Sequence, residues 1–173
     1  IHGKGFRFVG SLAEAGAAPR LITSLPDPVR TSSFTTRDGR PSIAVLPFEL
    51  VGEAGQLGII ADALPADIIM DLSRLHWLFV IARGSSFRFR GNEADPLVVG
   101  RALAVRYCLT GTIEVSGENV TVAVVLADGE HGETIWAEHY RGSLAELQMM
   151  RPEIEAHVVA ALEAHIPRNE VRI

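Results

Sequence analysis

Ser42-Ile43-Ala44-Val45-Leu46-Pro47-Phe48-Glu49-Leu50 is a short apolar run with branched side chains that follows Pro41 and carries no charge until Glu49. A run of this length and composition reads as a strand buried on both faces, the kind found inside parallel sheets. The residues before it have the composition of a tether. The residues after it alternate between helical and strand periods, as segments that cover such a strand should.

Immediately downstream, Leu64, Ile68, Leu72 and Leu75 recur at three- and four-residue steps, with Ile69 widening the stripe. That spacing predicts a helix over 57–75 with one buried side. Asp62, Asp67 and Asp71 fall on its polar side and read as a solvated face. Pro65 fits a first helical turn, so the regular helix is expected from Ala63 onward. Residues 76–83 (His-Trp-Leu-Phe-Val-Ile-Ala-Arg) read as a second buried strand. Strand, helix, strand in that order implies a right-handed crossover and a parallel pair.

A polar loop over 84–91 follows, then a helix over 96–105. Asp95 is its expected cap and Pro96 its first residue, with Leu97, Val98, Ala102 and Leu103 on the buried side. Strands are expected over 107–115 and 120–126, joined by a tight turn at 116–119. After a second turn at 128–133, the alternation of 134–140 predicts a third strand. The last helix is expected over 144–166, with Leu147, Met150, Ile154, Val158, Ala161, Leu162 and His165 near one face. Pro152 should kink or split it and Pro167 should end it. The expected fold is therefore α/β, a single domain over 41–167 in the order β-α-β-α-β-β-β-α. It has a mixed sheet with helices packed on it, and 168–173 as a tail.

Upstream, residues 11–40 are rich in Ala, Pro, Ser, Thr and Gly, and Pro19, Pro26 and Pro28 interrupt any helix. They read as an interdomain linker. Residues 1–10 read as a Gly-turned hairpin, with Phe6 and Phe8 on one side and Arg7 on the other.

Composition narrows the function. A net charge of −5 and an isoelectric point near 5.7 argue against a chain that coats nucleic acid over its whole surface. Cys108 is the one cysteine and lies in an apolar run, which reads as a buried core thiol. No stretch approaches the roughly 20 apolar residues of a membrane span, so no membrane partner is expected. Without a basic-then-apolar leader, the expected compartment is the cytoplasm.

Catalytic chemistry is not expected. The six histidines show no His-Glu-x-x-His spacing and no Cys/His framework, so no metal site is read. Ser85-Ser86 lacks the Gly-x-Ser-x-Gly elbow, and phosphate-binding glycine loops are missing too. No catalytic residue and no cofactor follow. The one constellation that suggests a ligand is Arg83, Arg88 and Arg90 with Ser85 and Ser86, with Arg101 and Arg106 further along. It lies at the C-terminal end of an expected parallel strand, where open α/β sheets bind ligands. Guanidiniums and hydroxyls there would suit a small anion such as a phosphate or carboxylate.

Two resemblances extend this reading. Gly3-Lys4-Gly5-Phe6-Arg7-Phe8 resembles the last hairpin, or wing, of OmpR/PhoB-type winged-helix DNA-binding domains. The resemblance implies DNA as a partner through the rest of that domain, with Lys4 and Arg7 as backbone contacts. Five stretches of the main domain resemble TolB-amino-terminal-like domains of CadC-like and adenylate-cyclase-like bacterial regulators. They are Ser42 to Phe48, Ala61-Asp62-Ala63-Leu64 with Asp71 to Leu75, Ile81 to Phe87, Val99 to Tyr107 with Leu109 to Ile113, and Ile135 to Tyr140. Such domains often precede tetratricopeptide repeats. The resulting expectation is part of a bacterial transcriptional regulator: a non-enzymatic sensing, dimerisation or interaction module after a winged helix. Homodimerisation is expected with it. Two alternatives stand beside it: an accessory domain of an adenylate-cyclase-like signalling protein, and an envelope assembly module.

Overall fold

The computed structural model describes residues 36, 38–52, 55 and 57–172. All of them fall within one compact unit, Thr31–Ile173. The expected hairpin at 1–10, with Lys4 and Arg7, lies outside the described residues, as does the linker up to residue 35.

The opening run is two strands rather than one. β1 (Ser42–Val45) is buried throughout and β2 (Glu49–Val51) is largely exposed. Both lie parallel to β4 (Tyr107–Ser116), with Val45 opposite Leu109 and Glu49 opposite Thr112. Three residues on one strand thus face two on the other, which is a bulge. Its cause is local. Pro47 has no N–H to give the sheet, and the N–H of Phe48 turns away to donate to the Ala61 carbonyl at 3.1 Å.

That acceptor is available because of a second proline. α1 (Leu57–Leu72) carries Pro65 well inside it, not in its first turn as the sequence suggested. A proline at this position leaves the carbonyl four residues back without its helical donor. That carbonyl is Ala61, so the bulge and the helix each supply what the other lacks. α1 ends three residues earlier than expected. Ser73 Oγ donates to the Ile69 carbonyl at 2.7 Å, and the chain closes in turns through Leu75.

β3 (Phe79–Val80) pairs parallel to β1, as the strand–helix–strand order required. It is two residues long and lies at the sheet edge, so Phe79 is 40 % exposed and the expected buried strand is corrected to a short edge. Residues 84–91 are not a plain loop. α2 (Arg83–Ser86) forms one helical turn, and a 3-10 turn follows at Gly91–Glu93.

α3 (Pro96–Leu103) is capped as expected: the Asp95 carboxylate accepts from Leu97 N at 2.8 Å and Val98 N at 3.3 Å. Its buried side differs from the expected one. Val99 and Gly100 are buried, Leu97 and Leu103 are half-buried, and Val98 and Ala102 face outward. The reason is Gly100, whose missing side chain lets the helix sit directly on the backbone of Gly129. That rotates the buried stripe by one residue.

β4, β5 (Asn119–Asp128) and β6 (Thr134–Ser143) form an antiparallel meander. The sheet order is β3-β1-β4-β5-β6, with β2 also on β4, so the sheet is mixed and the α/β class holds.

α4 (Leu147–Glu170) runs past Pro167 instead of ending there. Its last turn is tied to the sheet: Tyr107 Oη donates to Glu170 Oε1 at 2.5 Å and accepts from Asn169 Nδ2 at 3.1 Å. Those bonds hold helical geometry beyond the donor that Pro167 lacks. Residues expected as a tail are therefore partly helix.

Two cores lie on the two faces of the sheet, set by strand alternation. On one face Ile43, Val45, Leu109 and Ile113 meet Leu64, Ile68 and Leu72 of α1 and Ile154, Val158 and Leu162 of α4. On the other face Ala44, Leu46 and Cys108 meet Val99 and Val105 at α3. α3 has only eight residues and its face of the sheet has ten-residue strands. Beyond the helix that face carries Thr110, Thr112 and Ala123, all half-buried.

Candidate functional site

The uncovered part of that face forms the floor of a cleft of about 480 Å³. The bulge makes one wall. Phe48 swings over Gly111, where any Cβ would come within 2.7 Å of the ring. Glu49 follows it on the rim. α1 and the segment before the 3-10 turn make the opposite wall, closed by a two-pronged ion pair. Arg90 Nη1 and Nη2 each lie 3.0 Å from a different oxygen of Asp62. Parallel hydrogen bonds of this kind are the strongest arrangement a guanidinium and a carboxylate can make. The cleft opens beyond the C-terminal end of β1, where α/β sheets place ligands.

Among the described residues three charged ones line it: Glu49, Asp62 and Arg90. Asp62 and Arg90 cancel each other. Glu49 makes no ion pair among the described residues. Thr110 and Thr112 project their hydroxyls from β4 without a described side-chain partner, and Ala123 of β5 leaves room between them.

The sequence-expected arginine constellation is only partly assembled. Arg83 lies 4.8 Å and Arg90 5.8 Å from the centroid of the Phe87 ring, so the two guanidiniums share one aromatic partner. Stacking of this kind orients the cations. Ser85 is exposed, whereas Ser86 is fully buried and its hydroxyl lies 3.5 Å from the Arg83 carbonyl. Arg88 and Arg101 are exposed. Of these residues only Arg90 lines the cleft.

Arg106 belongs elsewhere. It is buried, 3.1 Å from Asp128 and 2.9 Å from Glu130, in a network that fastens the start of β4 to the β5–β6 turn. Asp128 also accepts from Glu130 N at 2.7 Å and His131 N at 3.0 Å. These bonds make it a turn-former. The carboxylates of α1 are likewise engaged. Asp67 pairs with Arg151 of α4, which also reaches Glu155 at 3.1 Å, and Asp71 pairs with Arg74. The face expected to be merely solvated is thus a row of ion pairs.

Cys108 is fully buried, and its thiol is pushed up to about 12 by burial and, secondarily, by the carboxylates of Asp128 and Asp95. It is a core thiol. Among the described residues, no group of three His, Cys, Asp or Glu side chains is placed to hold a metal. His157 meets Tyr140 edge-on and His165 lies beside Trp136. No helix of the described residues is long and apolar enough to cross a membrane.

The cleft was not legible from sequence. The expected ligand position was the C-terminal end of the second strand, around residues 84–91, whereas the cleft opens beyond β1. Thr110, Thr112 and Glu49 carried no motif. Their one signal was polar or small residues within strands whose other face is apolar.

Comparison with known proteins gives a sequence relative. Over 131 residues, 76% of this chain, it is 37% identical to a protein of Rhizobium meliloti (strain 1021) named "Putative adenylate cyclase 3". The matched region is 22% of that protein, so the chain corresponds to about a fifth of its length. No family model matches the chain. Among solved structures it is similar to lipoprotein GNA1162 from Neisseria meningitidis (15% identity, TM-score 0.47, 70% of this chain and 98% of that one). It is also similar to TolB from Acinetobacter baumannii (17%, 0.45, 71% of this chain and 28% of that one). A third is the hypothetical protein CT253 from Chlamydia trachomatis (15%, 0.48, 75% of this chain and 99% of that one). At these scores the likenesses carry no functional argument.

Proposed function

We propose that this chain is an accessory, non-catalytic α/β module of an adenylate-cyclase-like signalling protein. One observation carries the reading: the relative named for that activity shares most of this chain at 37% identity, yet the shared part is only 22% of it. Over three quarters of that protein remains for the chemistry. The charged residues of the present chain support the same division of labour. Asp62, Asp67, Asp128, Arg90, Arg106 and Arg151 are committed to pairs that join elements. Of the carboxylates lining the cleft only Glu49 is left open among the described residues, whereas a metal-dependent nucleotide-cyclising site needs several open together.

The regulator reading drew its DNA-binding part from residues 1–10, outside the described residues, and the relative's name favours the cyclase alternative. Dimerisation remains part of the proposal, since an accessory module acts on a distant catalytic part by pairing, positioning or sensing.

The test uses the purified 173-residue chain with ATP and magnesium, cyclic AMP being the readout. The expected result is no product above the protein-free control. Cyclic AMP formed by the chain itself would overturn the accessory reading, and sequence-specific retardation of promoter DNA would return the regulator reading to first place.

A further inference from the structure

We infer that the cleft between the β1–β2 bulge and α1 is a binding site for a small amine, with Glu49 as the group that receives the ammonium. The proposal is independent of the cyclase reading.

The volume is that of a small-ligand pocket, about 480 Å³, and cavities of 300 Å³ and upward are the usual size for such sites. It is built by a departure from regular structure. The extra residue in Leu46–Phe48 separates β1 from β2 along β4 where α3 stops covering the sheet, and the missing side chain of Gly111 makes room for the Phe48 ring that forms one wall. Bulges commonly mark places where a sheet is re-aimed for function.

The lining chemistry selects the ligand. An anion would meet Glu49 and Asp62, and Arg90, the one cation among the described lining residues, already has both prongs on Asp62. Recruiting Arg90 would leave Asp62 unpaired beside the anion. An ammonium meets the opposite situation. Glu49 has no ion pair among the described residues, and the Asp62 carboxylate retains lone pairs that Arg90 does not use. The Thr110 and Thr112 hydroxyls, two residues apart on the same face of β4, are donors and acceptors for the rest of the molecule. Ala123 sets the depth of the floor. The shared chemistry is an ammonium on a short polar body, which either a free diamine or an amino acid would supply. An amino acid's carboxylate has the Thr110 and Thr112 hydroxyls as donors.

The experiment is titration calorimetry of the 173-residue chain with putrescine, free lysine, citrate and adenosine monophosphate. We expect an amine to bind with a Kd on the order of 0.1–1 mM. Glu49→Gln weakens that binding about tenfold, the usual worth of a charge-assisted bond. Ala123→Leu fills the floor and abolishes it, with circular dichroism confirming that both variants stay folded. If Ala123→Leu does not fold, Thr112→Val takes its place and lowers affinity without changing volume. Putrescine binding alone marks a plain amine site; lysine binding more tightly marks an amino-acid site. Failure of both amines at about 10 mM, binding unaffected by Glu49→Gln, or tighter binding of citrate or the nucleotide would each overturn the inference.

Discussion

Cys108 shows how one side chain links the core to pH. Its thiol is enclosed by Ala44, Leu46, Val99 and Val105 and donates to the Pro96 carbonyl at 3.6 Å. Burial raises it from an ordinary value of 9.0 to about 12. A raised value means that the folded state holds its proton longer than the unfolded one. The stabilisation is therefore complete below 9.0 and is lost as pH rises through about 12. Tyr140 acts in the same direction, raised by burial from 10.0 to about 12, and Tyr107 more strongly still, by burial and its bond to Glu170. Cys108→Val removes the first of these. Urea denaturation at successive pH values should show the parent losing stability from about pH 9. The variant's curve should stay flat until the tyrosines begin to titrate near 10.0. Parallel curves for the two proteins would show that the thiol is not linked to folding. That Cys108 is a core thiol was readable from its apolar neighbours; the carboxylates near it were not, because Asp95 and Asp128 come from other elements.

Among elements, the contact of α3 with the β5–β6 turn is the most demanding. A Cβ on Gly100 would strike the Gly129 carbonyl, and one on Gly129 would come within 2.8 Å of the Val105 carbonyl. Glycine inside an exposed helix is ordinarily a weakness, and alanine in its place ordinarily stabilises by about 1 kcal/mol. Here the obstacle is backbone, which cannot rotate away. Gly100→Ala should lower stability by about 1–3 kcal/mol, as overpacking does, with chemical denaturation as the measurement; a gain would contradict the close approach. The sequence could not reveal this contact. Gly100 and Gly129 are distant in the chain, and the apolar pattern Leu97, Val98, Ala102, Leu103 pointed to a neighbouring stripe. The α3 cap was legible, because Asp95-Pro96 is a local signal that no tertiary contact needs to complete. So was the β4–β5 hairpin, whose turn contains Gly117 at φ 62°. Pro47 and Pro65 fall between these cases. Each reads locally as a breaker, and only the fold shows that the Phe48 N–H and the Ala61 carbonyl meet.

At the scale of the molecule, the mixed sheet was legible because it follows from the order of periods along the chain, and order survives errors in individual boundaries. The cleft was not, because it comes from what α3 fails to cover. Function follows the same division. The described side chains give a layered module whose ion pairs join its elements, and the proposal assigns the reaction to the part of the relative that this chain does not match. The most direct measurement is a transplant. The matched segment of the Rhizobium meliloti relative is deleted, then replaced by residues 41–167 of this chain, and cyclic AMP production is compared with that of the intact protein. The account predicts measurable cyclisation in the deletion protein, with its level or control altered, and a return toward the intact behaviour with the transplant. Complete loss in a deletion protein that remains folded, restored only by a segment with open catalytic carboxylates, would contradict it.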